Sequence, residues 1–156
     1  MPFLALQLLW LNVIGESILG ASLAMENIDD YPSSKLKNSQ NNELLDRKIR
    51  TDIVKRSVGI GLTSFAVFES SILLGRGIPY AQSMAFSNLV LTQLLHVYDC
   101  RQSRLPSAHI SLASSLSLAS LLAILYIPSI SSMFGTVPLN SKDWMILSLT
   151  TSLSRI

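Results

Sequence analysis

Asn12 and Glu16 are the residues of this sequence whose types and spacing first point to chemistry. They lie four positions apart, so in a helix they share one face, about one turn from each other. A carboxylate and an amide carbonyl are hard oxygen ligands of the kind that Ca²⁺ and Mg²⁺ take. Gly15 and Gly20 flank Glu16, and a helix opened at such positions exposes carbonyl oxygens as further ligands. The pattern indicates a cation site, with hydrogen bonding to a neighbouring helix as the alternative.

A second group of polar residues falls within another apolar segment. Its members are Asn88, Thr92, Gln93 and His96. Spaced three or four apart, they are typical of a polar seam or of hydrogen-bonded contacts between helices. A histidine metal site is not favoured, because His109 is the only other histidine. Glu69 lies near the end of its apolar segment, where its carboxylate can reach the membrane interface, so we expect a structural or interfacial role.

The composition excludes several classes of protein. Of the 156 residues, 49% are hydrophobic and 14% are charged, against about 25% charged in soluble domains. Thirteen of the 22 charged residues lie between Glu26 and Arg56, and long stretches elsewhere carry almost none. This pattern excludes a disordered chain, a nucleic-acid-binding protein and most soluble enzymes. It predicts an integral membrane protein whose immediate partner is the lipid bilayer.

Five apolar segments set the expected architecture. A bilayer core about 30 Å thick requires roughly 20 apolar residues in a helix. The expected spans are residues 3–25, 57–75, 79–98, 110–127 and, in part, 144–154. The last covers only about 16 Å at 1.5 Å per residue, which is too short to cross. We therefore predict one all-α membrane domain over residues 1–156, a bundle of four complete transmembrane helices plus a truncated fifth.

The distribution of basic residues predicts the orientation. The connection 26–56 holds seven Lys and Arg residues, and alternate sides of the membrane total ten against two. Basic loops lie in the cytoplasm. We therefore expect a multi-pass protein with a cytoplasmic loop at 26–56, the N-terminus outside and the C-terminus in the cytoplasm.

The first span carries a family likeness. Its run from Gln7 to Glu16, QLLWLNVIGE, resembles the sixth transmembrane helix of type II cation-transporting P-type ATPases, which reads Q-x-L-W-x-N-L-x-T-D. Residues 83–101 look like the eighth helix and its exit, and residues 126–144 are similar to the connection between the ninth and tenth helices. The likeness covers nearly the whole chain in order. It implies the C-terminal membrane domain of a calcium-type pump.

The resemblance implies a role for each matched residue. Asn12 matches the asparagine ligand of the sixth helix, and Glu16 stands where the family has its bridging aspartate. Gly15 replaces a threonine ligand of the family. Gln93 stands where two-ion pumps have a glutamate, and a glutamine there is similar to one-ion relatives. The transported cation implied is Ca²⁺, and the chain itself carries no cofactor.

The resemblance also implies what this chain would need from elsewhere. The family's D-K-T-G phosphorylation motif and its nucleotide domain have no counterpart here. We expect the chain to be inactive in ATP hydrolysis by itself and to act with the remaining domains of a P-type ATPase. One alternative is a small regulatory membrane protein that binds an intact pump. A small channel or carrier is a weaker alternative, because the sequence has no inverted repeat.

Overall fold

The computed structural model describes residues 3–25, 47–100 and 108–153, and these residues form six helices. In chain order they are α1 (Ala5–Ala24), α2 (Arg47–Leu73), α3 (Ile78–Cys100), α4 (Ala108–Tyr126), α5 (Pro128–Phe134) and α6 (Ser141–Leu153). Most of the predicted loop 26–56 lies outside the described residues. No strand occurs within the described ranges, as the all-α prediction requires.

Helix α3 is the centre of the bundle, in contact with α1, α2, α4 and α6. Its middle turns are buried on nearly every side, from Ser83 to Asn88. Small residues make this possible, since Ser83, Ala85 and Ser87 let neighbouring backbones approach closely. The apolar core around α3 includes Phe86, Val90 and, from other helices, Leu121 and Leu147. The candidate residue Gln93 is therefore held on the most enclosed helix of the domain.

Helix α2 differs from the span predicted at 57–75. It begins at Arg47 and runs without interruption to Leu73. Residues 47–56 fall within the cytoplasmic loop predicted at 26–56. Within the described residues, positions 47–56 instead continue directly into the apolar part of α2. Nothing in that stretch breaks a helix, because it contains neither proline nor glycine.

By length and hydropathy, two of the described helices qualify to cross a membrane: Ala5–Ala24 and Ala108–Tyr126. Helices α2 and α3 carry more polar residues, and those of α3 are largely buried against other helices. The count of four complete spans and a truncated fifth therefore remains a prediction.

The connection from α4 to α6 is built by proline and glycine. Helix α4 ends at Tyr126, and Pro128 occupies the first turn of the short helix α5, where its missing N–H costs nothing. Gly135 ends α5 with φ of 60°, a left-handed conformation that glycine adopts without strain. Residues 136–140 then lead into α6. This connection and Arg76 lie at the same end of the bundle, which we call the Arg76 end. His96 lies near the opposite end, which we call the His96 end.

Candidate cation site

The segment that carries Asn12 and Glu16 is a π-helix inside α1. Residues Leu11–Ile18 form it, between α-helical turns at Ala5–Trp10 and Leu19–Ala24. π-Helices are rare, usually span one turn and often mark functional sites. The Ser17 hydroxyl donates a hydrogen bond to the Asn12 carbonyl oxygen, at 3.2 Å. The glycine-flanked segment thus stays helical and changes its hydrogen-bond register where the ligands lie.

Asn12 and Glu16 lie on the exposed side of this π-helix. Within the described ranges, neither side chain forms a hydrogen bond or an ion pair with another residue. The neighbouring Val13 is 50% exposed and Leu9 is 58% exposed, so the whole face lacks a partner helix among the described residues. The alternative stated above was hydrogen bonding of these side chains to a neighbouring helix. No such bond occurs within the described part of the chain.

The opposite side of the π-helix rests against Gln93 of α3. Gly15 is buried there, and a Cβ atom built on it would lie 2.3 Å from Gln93 Oε1 and 3.0 Å from Gln93 Cδ. Gln93 Oε1 is itself buried and accepts no hydrogen bond from any described residue. The structure thus brings Gln93 to the segment that carries Asn12 and Glu16, but to its buried side. Gly20 has open space around it.

Comparison with known proteins identifies the family of this chain. The family model described as cation transporting ATPase, C-terminus, matches residues 1–156. The chain belongs to this family. It is 29% identical to a calcium-transporting ATPase of Bacillus subtilis, over 94% of this chain and 17% of that protein. It is 28% identical to calcium-transporting ATPase type 2C member 2 of Mus musculus, over 94% and 16%. A calcium-transporting ATPase 1 of Yarrowia lipolytica is 23% identical, over 97% and 17%.

Family membership confirms the resemblance and the all-α membrane class. The chain is the C-terminal domain of a cation-transporting P-type ATPase, embedded in a membrane. It spans about a sixth of the length of the curated relatives that it matches. The comparisons do not favour the alternative of a separate regulatory protein.

Gln7 anchors the start of α1 in this ATPase domain, a role that the sequence alone did not reveal. It is fully buried, its Oε1 accepts a hydrogen bond from the Leu4 N–H at 3.2 Å, and its Nε2 donates to the Phe134 carbonyl at 3.0 Å. Trp10, one turn later, packs edge-on against Phe86, with ring centroids 5.5 Å apart. In the sequence, the feature that points to this role is an uncharged amide side chain within an apolar run. These contacts fix the helix immediately before the π-helical segment.

Asp143 joins two connections at the Arg76 end. Its carboxylate is fully buried, pairs with the Arg76 guanidinium, accepts a hydrogen bond from the Tyr80 hydroxyl and caps the Asn140 N–H at 3.0 Å. Burial raises the pKa of Asp143, but the hydrogen bonds from Tyr80 and Arg76 outweigh burial, so the pKa lies below its ordinary value of 3.8. In the sequence, Arg76 and Asp143 lie 67 positions apart, and no motif or spacing links them.

Asn88 links three helices in the middle of the bundle. Its Nδ2 donates to Ser64 Oγ of α2 at 3.1 Å, and its Oδ1 accepts a hydrogen bond from Thr150 Oγ1 of α6 at 2.8 Å. Thr92 donates to the Asn88 backbone carbonyl at 2.8 Å. Asn88 therefore connects helices to one another, one of the two roles expected for this group, whereas the Thr92 bond stays within α3.

His96 and Glu69 take no part in the candidate cation site. His96 Nδ1 lies 2.9 Å from Arg56 Nη1, and the same guanidinium is 3.8 Å from Asp99. Among the described residues, no three His, Cys, Asp or Glu side chains are grouped so as to hold a metal ion. Glu69 is half-buried in the later part of α2.

Proposed function

We propose that this domain supplies part of the membrane cation site of an ATP-driven calcium pump. Asn12 and Glu16 are the main ligands that this chain supplies, and Gln93 is not among them because it packs on the buried side of the same segment. The observation that carries the proposal is the π-helix at Leu11–Ile18, which holds both ligands on an exposed face without partners among the described residues. The names of the relatives, all calcium-transporting ATPases, support Ca²⁺ as the cargo.

The chemistry of the donors supports a hard cation. Glu16 brings a carboxylate and Asn12 an amide carbonyl, and Ca²⁺ takes six to eight oxygen ligands of these types. A carboxylate left unpaired in a membrane is costly and is commonly explained by a transported ion. Two side chains do not complete such a coordination shell. The exposed face of α1 supports the proposal, since it leaves room for the remaining ligands, which would come from pump helices outside this chain.

The proposal includes the arrangement of the domain in the membrane. Helices α1 to α4 cross the bilayer, and α6 enters it. The Arg76 end faces outward and the His96 end faces the cytoplasm. The charge distribution supports this orientation, with ten basic residues on one side and two on the other. The central position of α3 accounts for its polar residues, because a helix surrounded by protein need not present an apolar surface to lipid.

Calcium binding to the complete pump that carries this chain tests the proposal. The pump, purified in detergent through a tag, is titrated with ⁴⁵Ca²⁺ as the wild type and as Glu16→Gln. Glu16→Gln keeps the shape of the side chain and removes its charge, so we expect calcium affinity to fall by at least about tenfold. Glu69→Gln, a matched change in α2, should bind like the wild type. Equal affinity in Glu16→Gln and the wild type would refute the proposed site.

A further inference from the structure

We infer that the Ser17 hydroxyl is a third ligand from this chain to the cation, because the π-helix brings it to the face that carries Asn12 and Glu16. This inference rests on the proposed function and adds a ligand that neither the spacing nor the resemblance indicated. Ser17 follows Glu16 directly in the sequence, and its side chain is exposed, as are those of Asn12 and Glu16. The three oxygens then belong to one uninterrupted stretch of helix.

The hydrogen-bond register of the π-helix brings Ser17 close to Asn12. In an α-helix, with about 3.6 residues per turn, a residue five positions on lies about 140° round the helix axis. In a π-helix the backbone bond joins residues five apart, so the fourth and fifth positions after Asn12 both lie about one turn from it. Glu16 and Ser17 occupy these two positions within the π-helix Leu11–Ile18.

Burial along the segment has the same wide period. The residues that face the bundle recur at every fourth position: Leu11, Gly15 and Leu19. Asn12 and Val13, and then Glu16 and Ser17, are exposed. The exposed side chains therefore form one continuous face along the π-helix, and Ser17 belongs to it.

One hydrogen bond shows how close Ser17 lies to Asn12. Ser17 Oγ donates to the Asn12 carbonyl oxygen at 3.2 Å, five residues back. In the α-helical turns of α2, Ser70 and Ser71 donate to the Val67 carbonyl, three and four residues back. A hydroxyl has one proton to donate and two lone pairs. Because the proton is held by the Asn12 carbonyl and no described residue donates to Ser17, the lone pairs can accept a cation.

A hydroxyl oxygen suits the chemistry of this site. Ca²⁺ combines carboxylates with neutral oxygens of carbonyl groups and water, and serine or threonine hydroxyls bind Mg²⁺ in nucleotide-binding loops. Ser17 adds such an oxygen beside the carboxylate of Glu16 without adding charge. With Ser17 the chain supplies three side-chain oxygens to a shell of about six to eight.

The first test measures ⁴⁵Ca²⁺ binding to the complete purified pump with matched serine variants. Ser17→Ala should lower calcium affinity by about three- to tenfold, less than Glu16→Gln, because a neutral ligand contributes less than a charged one. Ser17→Thr keeps the hydroxyl and should bind like the wild type. Ser70→Ala is the control, since Ser70 is also exposed and bonded to its own helix, at 3.0 Å, but lies in α2. It should leave the affinity unchanged.

A second test separates a ligand from a hydroxyl that only holds the Asn12 carbonyl. Ser17→Cys keeps the size of the side chain and replaces a hard oxygen by a soft sulfur, which favours soft metal ions. Cd²⁺ is a soft ion of nearly the size of Ca²⁺, and its displacement of bound ⁴⁵Ca²⁺ gives the ratio of the two affinities. With Cys100 changed to serine throughout, Ser17→Cys should raise the preference for Cd²⁺ by at least about tenfold. Ser70→Cys, the matched control, should not change it.

The outcomes distinguish this inference from the proposed function. Wild-type affinity in Ser17→Ala overturns the inference, and so does an equal loss in Ser17→Ala and Ser17→Thr. An unchanged preference for Cd²⁺ in Ser17→Cys also overturns it, because the side chain at 17 would then not touch the ion. In each of these cases the proposed function stands if Glu16→Gln still loses affinity. Unchanged affinity in Glu16→Gln refutes the proposed function. If Ser17→Ala does not fold, Ser17→Thr and Ser17→Cys decide the question.

Discussion

Arg76 and Asp143, 67 positions apart in the sequence, form an ion pair that ties the α2–α3 turn to the first turn of α6. The carboxylate is fully buried, whereas the Arg76 side chain is one-third exposed. Tyr80 and the Asn140 N–H complete the set of donors around Asp143. A buried carboxylate with three donors is satisfied, so this network ties the two connections together at the edge of the apolar core, which Leu139 joins.

Removing the Asp143 carboxylate should destabilise the domain. Asp143→Ala leaves the Tyr80 hydroxyl, Arg76 and the Asn140 N–H without their acceptor, and we expect a loss of about 2–3 kcal/mol, since hydrogen bonds to charged groups contribute about 1.5–3 kcal/mol. Asp143→Asn keeps one acceptor oxygen and should lose less. The midpoint of thermal unfolding in detergent, followed by tryptophan fluorescence, measures both. An unchanged midpoint in Asp143→Ala would show that the network contributes nothing to stability.

The same carboxylate predicts a pH dependence. Asp143 lies outside the predicted span 144–154, and its pKa in the folded domain is lower than the ordinary 3.8. A lowered pKa means that its stabilising effect is complete above about pH 4 to 5 and is lost as the pH falls through the folded value. Between pH 7 and 5, the stability difference between wild type and Asp143→Asn should be constant. Below pH 3.8 it should shrink, and a difference that grows on acidification would contradict the assignment.

Gly135 should resist substitution for two separable reasons. Its φ of 60° disfavours any side chain by about 1–2 kcal/mol, and a Cβ atom there would lie 2.6 Å from Leu4 Cδ1. Gly75 has a similar φ of 69° but open space around it. Gly75→Ala therefore measures the backbone effect alone, and Gly135→Ala should cost more. Comparable unfolding midpoints for the two variants would mean that Leu4 simply moves aside.

Asn88 allows the free energy of a polar contact between two helices to be measured. The Asn88–Thr150 bond joins α3 to α6, but Thr150 Oγ1 also lies 3.1 Å from the Ile146 carbonyl oxygen and 3.0 Å from that of Leu147. Because the hydroxyl keeps backbone acceptors when Asn88 is removed, the coupling should be small. A double-mutant cycle with Asn88→Ala and Thr150→Val should give about 0.6 kcal/mol and stay below about 1.7 kcal/mol. A larger coupling would show that the pair acts as part of an extended network.

The sequence predicted helix positions better than contacts between helices. Apolar runs located the helices because length and hydropathy are local properties, and the segment expected at 110–127 corresponds to α4, Ala108–Tyr126. The start of α2 at Arg47 was missed, since polarity alone made residues 47–56 look separate from the span. No local sequence pattern specifies the π-helix, so Gly15 and Gly20 predicted only a weakened helix. The approach of Gln93 to Gly15 depends on how α1 and α3 pack, which one sequence does not encode in any recognisable spacing.

Single cysteines can test directly whether α2 and α3 cross the membrane. Leu74 and Met133 are 67% and 72% exposed at the Arg76 end of the bundle, and Lys37 lies in the predicted cytoplasmic loop. With Cys100 changed to serine, Leu74→Cys and Met133→Cys should react with a membrane-impermeant maleimide added on the non-cytoplasmic side of the membrane. Lys37→Cys should react only after the membrane is opened. If α1 and α4 alone crossed the bilayer, Leu74→Cys would behave like Lys37→Cys, because no crossing would separate them. Such a result would overturn the four-span arrangement and leave α2 and α3 on the cytoplasmic side.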